Sequence, residues 1–373
     1  MKLLRKDDLH QAKILVRTPN WIGDAVMCLP ALRALRRALP QAELVLAARP
    51  WVLDLFPADE LRCRTVAYDA HGAHRGIGGR WRIAFELRRE QFRAAILLQN
   101  AFDAALLAVL AGIPIRAGYA RHGRRLLLTH AVEVPRPGET PHQEAHYYLE
   151  LLRRLGLIEE YPEVQEISLP LASGARGQAR ARLEQLRRES GKESIEGKAV
   201  VGISPGAAFG TAKRWHAARF AELARRLTHD LGAVPVFFGS KAEAPLAESL
   251  VPDAGELAFS LAGKTSLADF LRVIPGCDLY ITNDTGAMHA ASALGVPTLA
   301  IFGPTDERAT NPLGARVGLV VGDAECRPCL LRHCPIDHRC MDSVSVEVVF
   351  AAAQQLLERS KRERPAQEEY YAR

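Results

Sequence analysis

The chain has 373 residues, of which 48% are hydrophobic and 25% charged, and these ordinary globular fractions exclude a mainly disordered protein. Its 49 Lys and Arg against 43 Asp and Glu give a net charge of +6, which is compatible with nucleic acid, anionic lipid or a phosphorylated ligand. The length exceeds the size at which one hydrophobic core usually keeps growing, so two domains are expected.

The N-terminal sequence MKLLRKDDLHQAK has no apolar stretch of signal-peptide length, so we do not expect a secreted protein. Short β-type runs then alternate with helix-like stretches. The runs are KILVR (13–17), ELVLAA (43–48), TVAYD (65–69) and AAILLQ (94–99). This alternation predicts βαβ units with a parallel sheet. Helices are predicted over 141–157 and 175–190, and the turn-rich segment 191–198 is predicted to be a domain boundary.

The pattern starts again after this boundary. Strands are predicted over 199–204, 234–239, 279–282 and 298–303, and helices over 215–230 and 344–358. Near-continuous apolar runs of this kind are typical of strands that are covered on both faces of a sheet. Two successive doubly wound α/β halves bind ligands at the carboxyl ends of their strands.

The first candidate motif is PNWIGD (19–24), directly after the first predicted strand. Gly23 suits a tight turn from a strand into a helix, and Asp24 then falls in the first helical turn, where its charge suits the helix dipole. Two roles stay open for Asp24, which are a helix cap and a carboxylate that accepts a proton from a substrate hydroxyl. Pro30 either kinks this helix or starts a second one.

The second motif, SPGAAFGTAKRW (204–215), is a loop of small residues with Lys213 and Arg214 at a helix start. Close backbone approach at glycine, amide donors and two cations suit a diphosphate, and a surface loop with incidental basic residues is the alternative. The third motif, NDTGAMH (283–289), would direct free N–H groups at an anion. His289 lies one turn inside this helix, as either a structural group or a ligand contact.

Two familiar nucleotide-binding motifs are incomplete. The segment GKTS (263–266) resembles the end of a P-loop, but Ala258 stands where that loop requires glycine, so NTP hydrolysis is disfavoured. Neither half has G-x-G-x-x-G after its first strand, which disfavours a nicotinamide dehydrogenase.

Positive charge is concentrated between Arg62 and Arg125, where twelve Arg face four acids for a local net charge of +8. This stretch is either a solvated surface or a face for an anionic partner, and no nucleic-acid-binding motif accompanies it. Cysteine is concentrated near the C-terminus, at Cys326, Cys329, Cys334 and Cys340. One tight pair with irregular further spacings favours free or redox-labile thiols, with zinc as the less favoured alternative.

Four segments in order are NWIGDAVM (20–27), LLQNAFDAALLAVLAGIPIRAGY (97–119), FGTAKRW (209–215) and NDTGAMHAASALGVPTLAIFGPTD (283–306). Together they resemble the ADP-heptose:lipopolysaccharide heptosyltransferases of glycosyltransferase family nine. The resemblance runs from about residue 13 to 350. The NWIGD form is similar to the type II branch of the family, because the type I branch usually has a shorter Leu-Gly-Asp form.

The resemblance implies an α/β fold of the GT-B type, in which two Rossmann-like doubly wound domains face a cleft. It implies an acceptor-binding domain over 1–190 and a nucleotide-sugar-binding domain over 191–345. Residues 346–373 are expected to form a C-terminal helix and tail, and packing back on the N-terminal domain is one arrangement considered.

The implied reaction is inverting transfer of L-glycero-D-manno-heptose from ADP-heptose to the first heptose of the lipopolysaccharide inner core, on a lipid A–Kdo–heptose acceptor. Another heptosyltransferase of the family with a different core acceptor is the alternative, and a non-catalytic binder of nucleic acid or another anionic polymer is a remote one. No cofactor is expected beyond the donor substrate ADP-L-glycero-D-manno-heptose, and no metal, since the chain has no D-x-D pair. The anionic glycolipid acceptor places the enzyme at the cytoplasmic face of the inner membrane, without nucleic acid and with its oligomeric state open.

Matched motif by motif, Asp24 takes the place of the general base. The residues matched to the donor and its diphosphate are Lys213, Arg214, Asp284, Thr285, Gly286 and His289. Those expected near the ribose and adenine are Glu243, Leu261, Gly263 and Lys264. Those expected on the acceptor side are Asn20, Trp21, Gly23, Asn100, Arg121 and Arg124.

Overall fold

The structure is a computed structural model that describes residues 3–371, with side chains described through Arg362. The chain divides into two compact units, Met1–Gln165 and Glu166–Arg373. Each unit contains one six-stranded sheet, and every strand pair in both sheets is parallel.

The strands of the first unit are β1 (Lys13–Arg17), β2 (Glu43–Ala48), β3 (Cys63–Ala67), β4 (Ala94–Leu97), β5 (Ile115–Tyr119) and β6 (His130–Val132). They lie in the order β3-β2-β1-β4-β5-β6, which is the order of a Rossmann-type sheet. The helices are α1 (Ile22–Met27), α2 (Leu29–Ala38), α3 (Ala58–Leu61), α4 (Gly76–Arg89), α5 (Phe102–Leu110) and α6 (Ala145–Arg154). Two 3-10 turns, Pro50–Leu55 and Arg124–Leu127, complete the unit.

The strands of the second unit are β7 (Val200–Ser204), β8 (Val234–Phe237), β9 (Phe259–Ser260), β10 (Leu279–Asn283), β11 (Thr298–Phe302) and β12 (Val317–Val321). Their order, β12-β11-β10-β7-β8-β9, repeats that of the first sheet. The helices are α7 (Ala175–Glu189), α8 (Ala217–Leu231), α9 (Ala244–Leu250), α10 (Leu267–Val273), α11 (Gly286–Ala293), α12 (Glu307–Thr310), α13 (Arg339–Asp342) and α14 (Val346–Tyr371). The 3-10 turns are Thr211–Lys213 and Ile274–Gly276.

The strands at the centre of each sheet are covered on both sides. Strands β4, β7, β8, β10 and β11 are buried along their whole length, which explains their mainly apolar sequences. Because all strands are parallel, the loops after them emerge at one edge of each sheet, the carboxyl edge, where ligands bind in folds of this class. That edge is where the candidate motifs lie.

Pro30 starts a new helix and does not kink the one before it. Helix α1 ends at Met27, and α2 begins at Leu29 with Pro30 in its first turn. Proline is tolerated there because the first N–H groups of a helix have no intrahelical acceptor. Asp24 therefore lies on the short helix α1, which is separate from α2.

The boundary between the units lies between Gln165 and Glu166, before the position near residue 190 that the turn-rich sequence predicts. Helix α7 belongs to the second unit because its arginines hold a buried carboxylate there. Arg176 Nη2 lies 2.6 Å from Asp278 Oδ1, and Arg180 Nη1 lies 3.3 Å from Oδ2. A turn signal marks where the backbone bends, and the neighbours of a helix are set by such long-range contacts.

The last helix also belongs to the second unit. Val349, Phe350 and Ala353 of α14 are buried in the core that α8 and β10 build. The part of α14 whose side chains are described thus contributes to the core of the second unit, and packing against the N-terminal domain stays a prediction. Within residues 3–371, no helix combines the length and apolar character that a bilayer span requires.

Candidate active site

The carboxyl edge of the second sheet brings a lysine and an aspartate together from two different motifs. Lys213 Nζ lies 2.6 Å from Asp284 Oδ2, and Thr305 Oγ1 donates to the same oxygen at 2.6 Å. The side chains of Lys213 and Asp284 are only 13% and 5% exposed. A pair this deeply buried is held by strong attraction, and either charge left alone there would be costly.

Asn283 fixes the backbone around this pair. Its side-chain N–H groups donate to the carbonyls of Pro205 and Gly206 at 2.9 and 3.1 Å, and its Oδ1 accepts from the N–H of Trp215 at 3.0 Å. One buried side chain at the end of β10 thus ties down both ends of the loop that carries Lys213. The sequence motif gave no indication of this role.

Thr285 and Gly286 lie at the start of α11, as predicted. Thr285 is the N-cap residue, and its side chain makes no hydrogen bond to the helix backbone. Its hydroxyl instead lies 3.1 Å from that of Thr282. The first turn of α11 therefore keeps N–H groups that are not used by a cap, next to Lys213 and Asp284, and such groups bind anions.

His289 is buried, one turn into α11. Burial lowers its pKa from 6.5 to about 4, although the nearby Asp284 carboxylate opposes the shift and the Lys213 ammonium assists it. The imidazole is therefore neutral at pH 7. It contributes shape and a neutral ring beside the charged pair, and it adds no cation to the anion site.

Arg214 Nη2 donates to the carbonyl of Ala207 at 3.4 Å, within the loop that carries Lys213. The other residues predicted to bind the donor substrate, those expected near its ribose and adenine, lie after β8 and β9. Glu243 accepts from the N–H and hydroxyl of Ser240 through Oε2, at 2.8 and 2.7 Å. A β-carbon on Gly206 would lie 2.1 Å from Glu243 Oε1, so glycine at that position lets the acid approach the Lys213 loop.

The three predicted adenine neighbours lie directly after β9. Leu261 is buried and bonds Phe237 through its N–H, while Gly263 bonds Gly239 and has the positive φ that favours glycine. Lys264 is exposed and pairs loosely with Glu248, at 3.8 Å. All the predicted donor residues therefore lie at the carboxyl edge of one sheet.

The Cys-rich segment packs on the Lys213 loop. The N–H of Ala212 donates to the carbonyl of Arg332 at 3.0 Å, and His338 Nε2 lies 2.9 Å from the Ala212 carbonyl. Thr211 Oγ1 lies 3.0 Å from His333 Nδ1. A β-carbon on Gly210 would lie 2.2 Å from the Arg332 carbonyl, so only glycine permits this contact. Sequence reasoning missed this bracing role.

The four clustered cysteines are unpaired, as are the other three. Burial raises the pKa of Cys340, and the nearby Cys326, Cys329 and Cys334 raise it further. Within the part of the chain that the structure describes, no three His, Cys, Asp or Glu side chains are arranged to hold a metal ion. The observed role of the segment is to brace the loop beside it.

In the first unit, Asp24 lies in the first turn of α1 and is partly exposed. The N-cap position of that helix is occupied by Trp21, so the capping position predicted as one role for Asp24 is taken by another residue. Burial raises the pKa of Tyr148, and the Asp24 carboxylate followed by Glu144 raises it further. The start of α6 therefore lies beside Asp24.

Asn20 is held by a buried arginine. Arg17 Nη2 donates to Asn20 Oδ1 at 3.1 Å, and Nη1 donates to the carbonyls of Thr18 and Ala47 at 3.1 and 2.9 Å. Burial lowers the pKa of Arg17 to about 10, with Arg49 as a second cause. Trp21, beside Asn20, is 54% exposed at the same strand end. Gly23, in the first turn of α1, precedes Asp24 as predicted.

Arg124 has a different role from the one predicted. It is fully buried, and its guanidinium donates to the carbonyl of Tyr119 at 2.8 Å, to Asn100 Oδ1 at 3.0 Å and to the carbonyl of Gln99. Burial lowers its pKa to about 10. With its donors used internally, Arg124 positions Asn100, and direct acceptor binding by Arg124 is not supported.

Arg121 is the exposed arginine of this pair. It lies beside Tyr147 and Glu144, since its charge lowers the pKa of both groups against the larger effect of burial. Asn100 Nδ2 donates to the Tyr147 hydroxyl at 2.8 Å. Asn100, Arg121 and Tyr147 therefore form one polar cluster, and Tyr147 lies within the helix predicted over 141–157.

The Arg-rich stretch is not uniformly free to meet a partner. Arg64 pairs with Glu43 and Glu90, and Arg80 pairs with Asp103. Others bind backbone carbonyls or are buried, as Arg124 is. The surplus that reaches solvent is thus smaller than the local charge of the sequence, and part of it lies on α4.

Two Rossmann-like units, each with a parallel six-stranded sheet of the same strand order, are the architecture of a GT-B glycosyltransferase. A model of "Glycosyltransferase family 9 (heptosyltransferase)" matches residues 80–339. The chain belongs to this family, and it is a glycosyltransferase. The predictions of the family and of the GT-B fold are confirmed.

Individual proteins that are similar to this chain also carry the name heptosyltransferase. The chain is 31% identical over 314 residues to lipopolysaccharide heptosyltransferase 2 of Escherichia coli K12, covering 83% of this chain and 87% of the relative. It is 29% identical over 313 residues to lipooligosaccharide heptosyltransferase 2 of Haemophilus influenzae, covering 82% and 88%. The solved structure of E. coli ADP-heptose heptosyltransferase II matches with a TM-score of 0.75 at 26% identity, over 94% of this chain and 99% of that one.

Proposed function

We propose that this enzyme transfers L-glycero-D-manno-heptose from ADP-heptose to the first heptose of the lipopolysaccharide inner core. Its relatives over most of the chain carry the name heptosyltransferase 2. The observation that carries the proposal is the Lys213–Asp284 pair beside the start of α11. It supplies positive charge, N–H donors and a carboxylate at one place, which are the groups that a sugar diphosphate requires.

In the proposed donor complex, the diphosphate binds Lys213 and the N–H groups at the start of α11. Negative charge builds up on the diphosphate as its bond to the anomeric carbon breaks, and a nearby cation with oriented amides stabilises that charge. Lys213 and Thr305 both donate to Oδ2 of Asp284. We assign Oδ1 to the hydroxyl groups of the heptose.

Asp24 is the proposed general base. It accepts the proton of the acceptor hydroxyl while that oxygen attacks the anomeric carbon from the face opposite ADP. One C–O bond forms, the bond to the diphosphate breaks, and ADP leaves with the electron pair, so the configuration inverts. The anomeric configuration of the product, read by NMR, tests this step, and retention would contradict it.

Around these groups, Glu243 is assigned to the ribose, and Leu261, Gly263 and Lys264 to the adenine. Arg214 is retained as a secondary cation for the diphosphate. Positive charge from the protein takes the part that a metal ion plays in other transferases, so no cofactor is required. Full activity in excess EDTA is expected, and activity that returns only with added Mg²⁺ would contradict this assignment.

The proposed acceptor is an anionic glycolipid, lipid A–Kdo–heptose, and not a nucleic acid. We assign Asn20, Trp21, Asn100 and Arg121 to the acceptor, since all four lie at or near strand ends of the first sheet. Because the acceptor is anchored in a bilayer, the enzyme is proposed to work as a peripheral protein at the cytoplasmic face of the inner membrane.

The deciding experiment incubates the protein with ADP-heptose and a panel of core acceptors and measures ADP release. We expect turnover on an acceptor that ends in the first heptose and none on one that lacks it. Equal turnover on both would favour another heptosyltransferase of the family with a different acceptor. No ADP release on any acceptor would contradict the proposal as a whole.

A further inference from the structure

Helix α4 has two apolar faces, and only one of them packs on the protein. Its buried residues are Gly79, Ile83, Ala84 and Leu87, and the last three belong to the core of the first unit. A second apolar series, Ile77, Trp81 and Phe85, lies at intervals of four residues. Side chains at this spacing share one face of a helix, and this face is directed away from the core.

The second face is strongly exposed. Ile77, Trp81 and Phe85 are 76%, 57% and 58% exposed. Single exposed apolar residues are ordinary on protein surfaces, whereas a continuous series of three large ones on one helix marks an interaction surface. We name these three residues the α4 stripe.

Arginines surround the α4 stripe. Arg88 and Arg89 follow Phe85 by three and four residues, and Arg82 follows Trp81 directly. Arg89 stacks on the ring of Phe85, with its Cζ 4.7 Å from the ring centroid. Within residues 3–362, none of these three arginines forms an ion pair. The rim of the stripe therefore carries three arginines, while the one acid of α4, Glu86, lies 3.9 Å from His74 Nε2.

An apolar stripe with arginines at its margins fits one kind of partner, an anionic bilayer. A protein partner would need acidic side chains around an apolar centre. A bilayer with anionic lipids offers apolar chains below a layer of negative headgroups. Helices with Trp, Phe and Ile on one face and Arg at its margins lie in that boundary layer, and each cation near the surface adds attraction.

We propose that α4 is a membrane-docking helix whose stripe, Ile77, Trp81 and Phe85, inserts into the headgroup region of an anionic bilayer, with Arg82, Arg88 and Arg89 against the phosphates. The biological purpose of docking rests on the proposed function, because an acceptor anchored in the bilayer must be reached by the first unit. Binding to lipid itself does not depend on the identity of the sugar.

The test uses the full chain with vesicles of phosphatidylcholine alone or with phosphatidylglycerol added. Wild type is expected to float with the anionic vesicles and to stay in solution with the neutral ones. The double variant Trp81→Ser/Phe85→Ser is expected to lose flotation. The matched control is Val348→Ser, which changes a 55% exposed residue of α14 in the second unit and should float as wild type does.

Charge and insertion are separated by two further variants. Arg82→Gln/Arg88→Gln/Arg89→Gln is expected to weaken anionic-vesicle binding by about fivefold for each charge removed. Trp81→Phe is expected to keep binding, but to lose most of the fluorescence quenching by lipids brominated in the upper acyl chain. Unchanged quenching in Trp81→Phe would overturn insertion of the stripe.

A functional comparison completes the test. Trp81→Ser/Phe85→Ser should lose transfer to acceptor embedded in vesicles by about tenfold or more, while transfer to a water-soluble core oligosaccharide and binding of ADP stay unchanged. Vesicle binding without any heptose transfer would contradict the proposed function alone. If the double variant floats normally, or if it only converts a dimer into a monomer, the docking proposal is wrong.

Discussion

The two units share a strand order but use positive charge differently. In the first unit, Asn20 and Asn100 at the strand ends are each held by a buried arginine. In the second, Asn283 binds the backbone directly, and the cation Lys213 pairs with the carboxylate of Asp284. The two buried arginines of the first unit, Arg17 and Arg124, are fixed parts of the scaffold. In the proposed donor complex, Lys213 instead exchanges its contact with Asp284 for one with the diphosphate.

The difference follows from geometry and not from composition. Arg17 and Arg124 are enclosed by carbonyl oxygens that cannot leave, and burial lowers the pKa of each to about 10. Lys213 is buried less and has a single carboxylate partner on the neighbouring motif. A diphosphate carries more charge than one carboxylate, so it can compete for the ammonium group.

The strongest test of this comparison is Lys213→Met. We expect about a 10³-fold loss of kcat/KM with ADP-heptose, because the variant removes charge from the place where charge develops. ADP affinity, measured by calorimetry, should fall as well. The control is Lys192→Met, since Lys192 only reaches the backbone carbonyl of Glu256. Normal ADP binding by Lys213→Met would mean that this lysine is as structural as the two arginines.

The counterpart in the first unit is Arg124→Gln. We expect a loss of about 3 kcal/mol in the free energy of unfolding, since buried carbonyls and Asn100 lose charged donors. ADP affinity of the folded fraction should not change. Denaturant unfolding and calorimetry check the two expectations. A stable variant with weaker ADP binding would reverse the roles assigned to the two units.

His289 gives the second unit a pH dependence. Its pKa of about 4 in the folded chain lies below the unfolded value of 6.5, so the unfolded state binds more protons at intermediate pH. The contribution of His289 to the free energy of unfolding is therefore complete above pH 6.5. It decreases by about 3 kcal/mol as the pH falls from 6.5 toward 4. Unfolding curves of His289→Gln should be flatter with pH than those of wild type.

Asp24→Asn tests the catalytic contribution of the first unit. We expect kcat to fall by about 10²-fold, since the amide cannot accept the proton of the acceptor hydroxyl. KM for ADP-heptose and ADP affinity should stay near wild type. An equal fall in ADP affinity would indicate that Asp24 acts on the donor, and unchanged turnover would remove it from the mechanism.

The smallest effect is expected at the brace between the Lys213 loop and the Cys-rich segment. Thr211→Val removes one hydrogen bond to His333 at the surface and should raise the KM for ADP-heptose about threefold, with kcat little changed. Thr211→Ser, which keeps the hydroxyl, is the matched control. A fall in kcat alone would place the segment in the chemical step instead of in donor binding.

Much of the second site was predictable because its signals are local. A strand, a short glycine-containing loop and a helix start together predict an anion site, and Lys213, Thr285 and Gly286 were predicted to bind the diphosphate in this way. The carboxyl edge of a parallel sheet then predicts that such loops meet. This reasoning places Lys213 and Asp284 at the same edge of the sheet, but it does not predict the 2.6 Å contact between them.

What the sequence did not reveal depends on long-range packing. Arg124 lies in an Arg-rich stretch, and no local pattern distinguishes it from its exposed neighbour Arg121. Helix α7 looks like a polar helix at the end of the first domain, yet its pairing with Asp278 places it in the second unit. Strand β12 and the contacts between the Cys-rich segment and the Lys213 loop were also not predicted, and they are seen only in the folded chain.

The brace has a consequence for the order in which the protein matures. Ala212 and His338, which contact each other, are 126 positions apart, so the ribosome releases the first long before the second. Strands β7 and β8 can pair during synthesis, since domains begin to fold as their segments emerge. The Lys213 loop, however, acquires its contacts with the Cys-rich segment only after residue 338 has been made. The proposed donor site is thus completed only after all six strands of the second sheet have been synthesised.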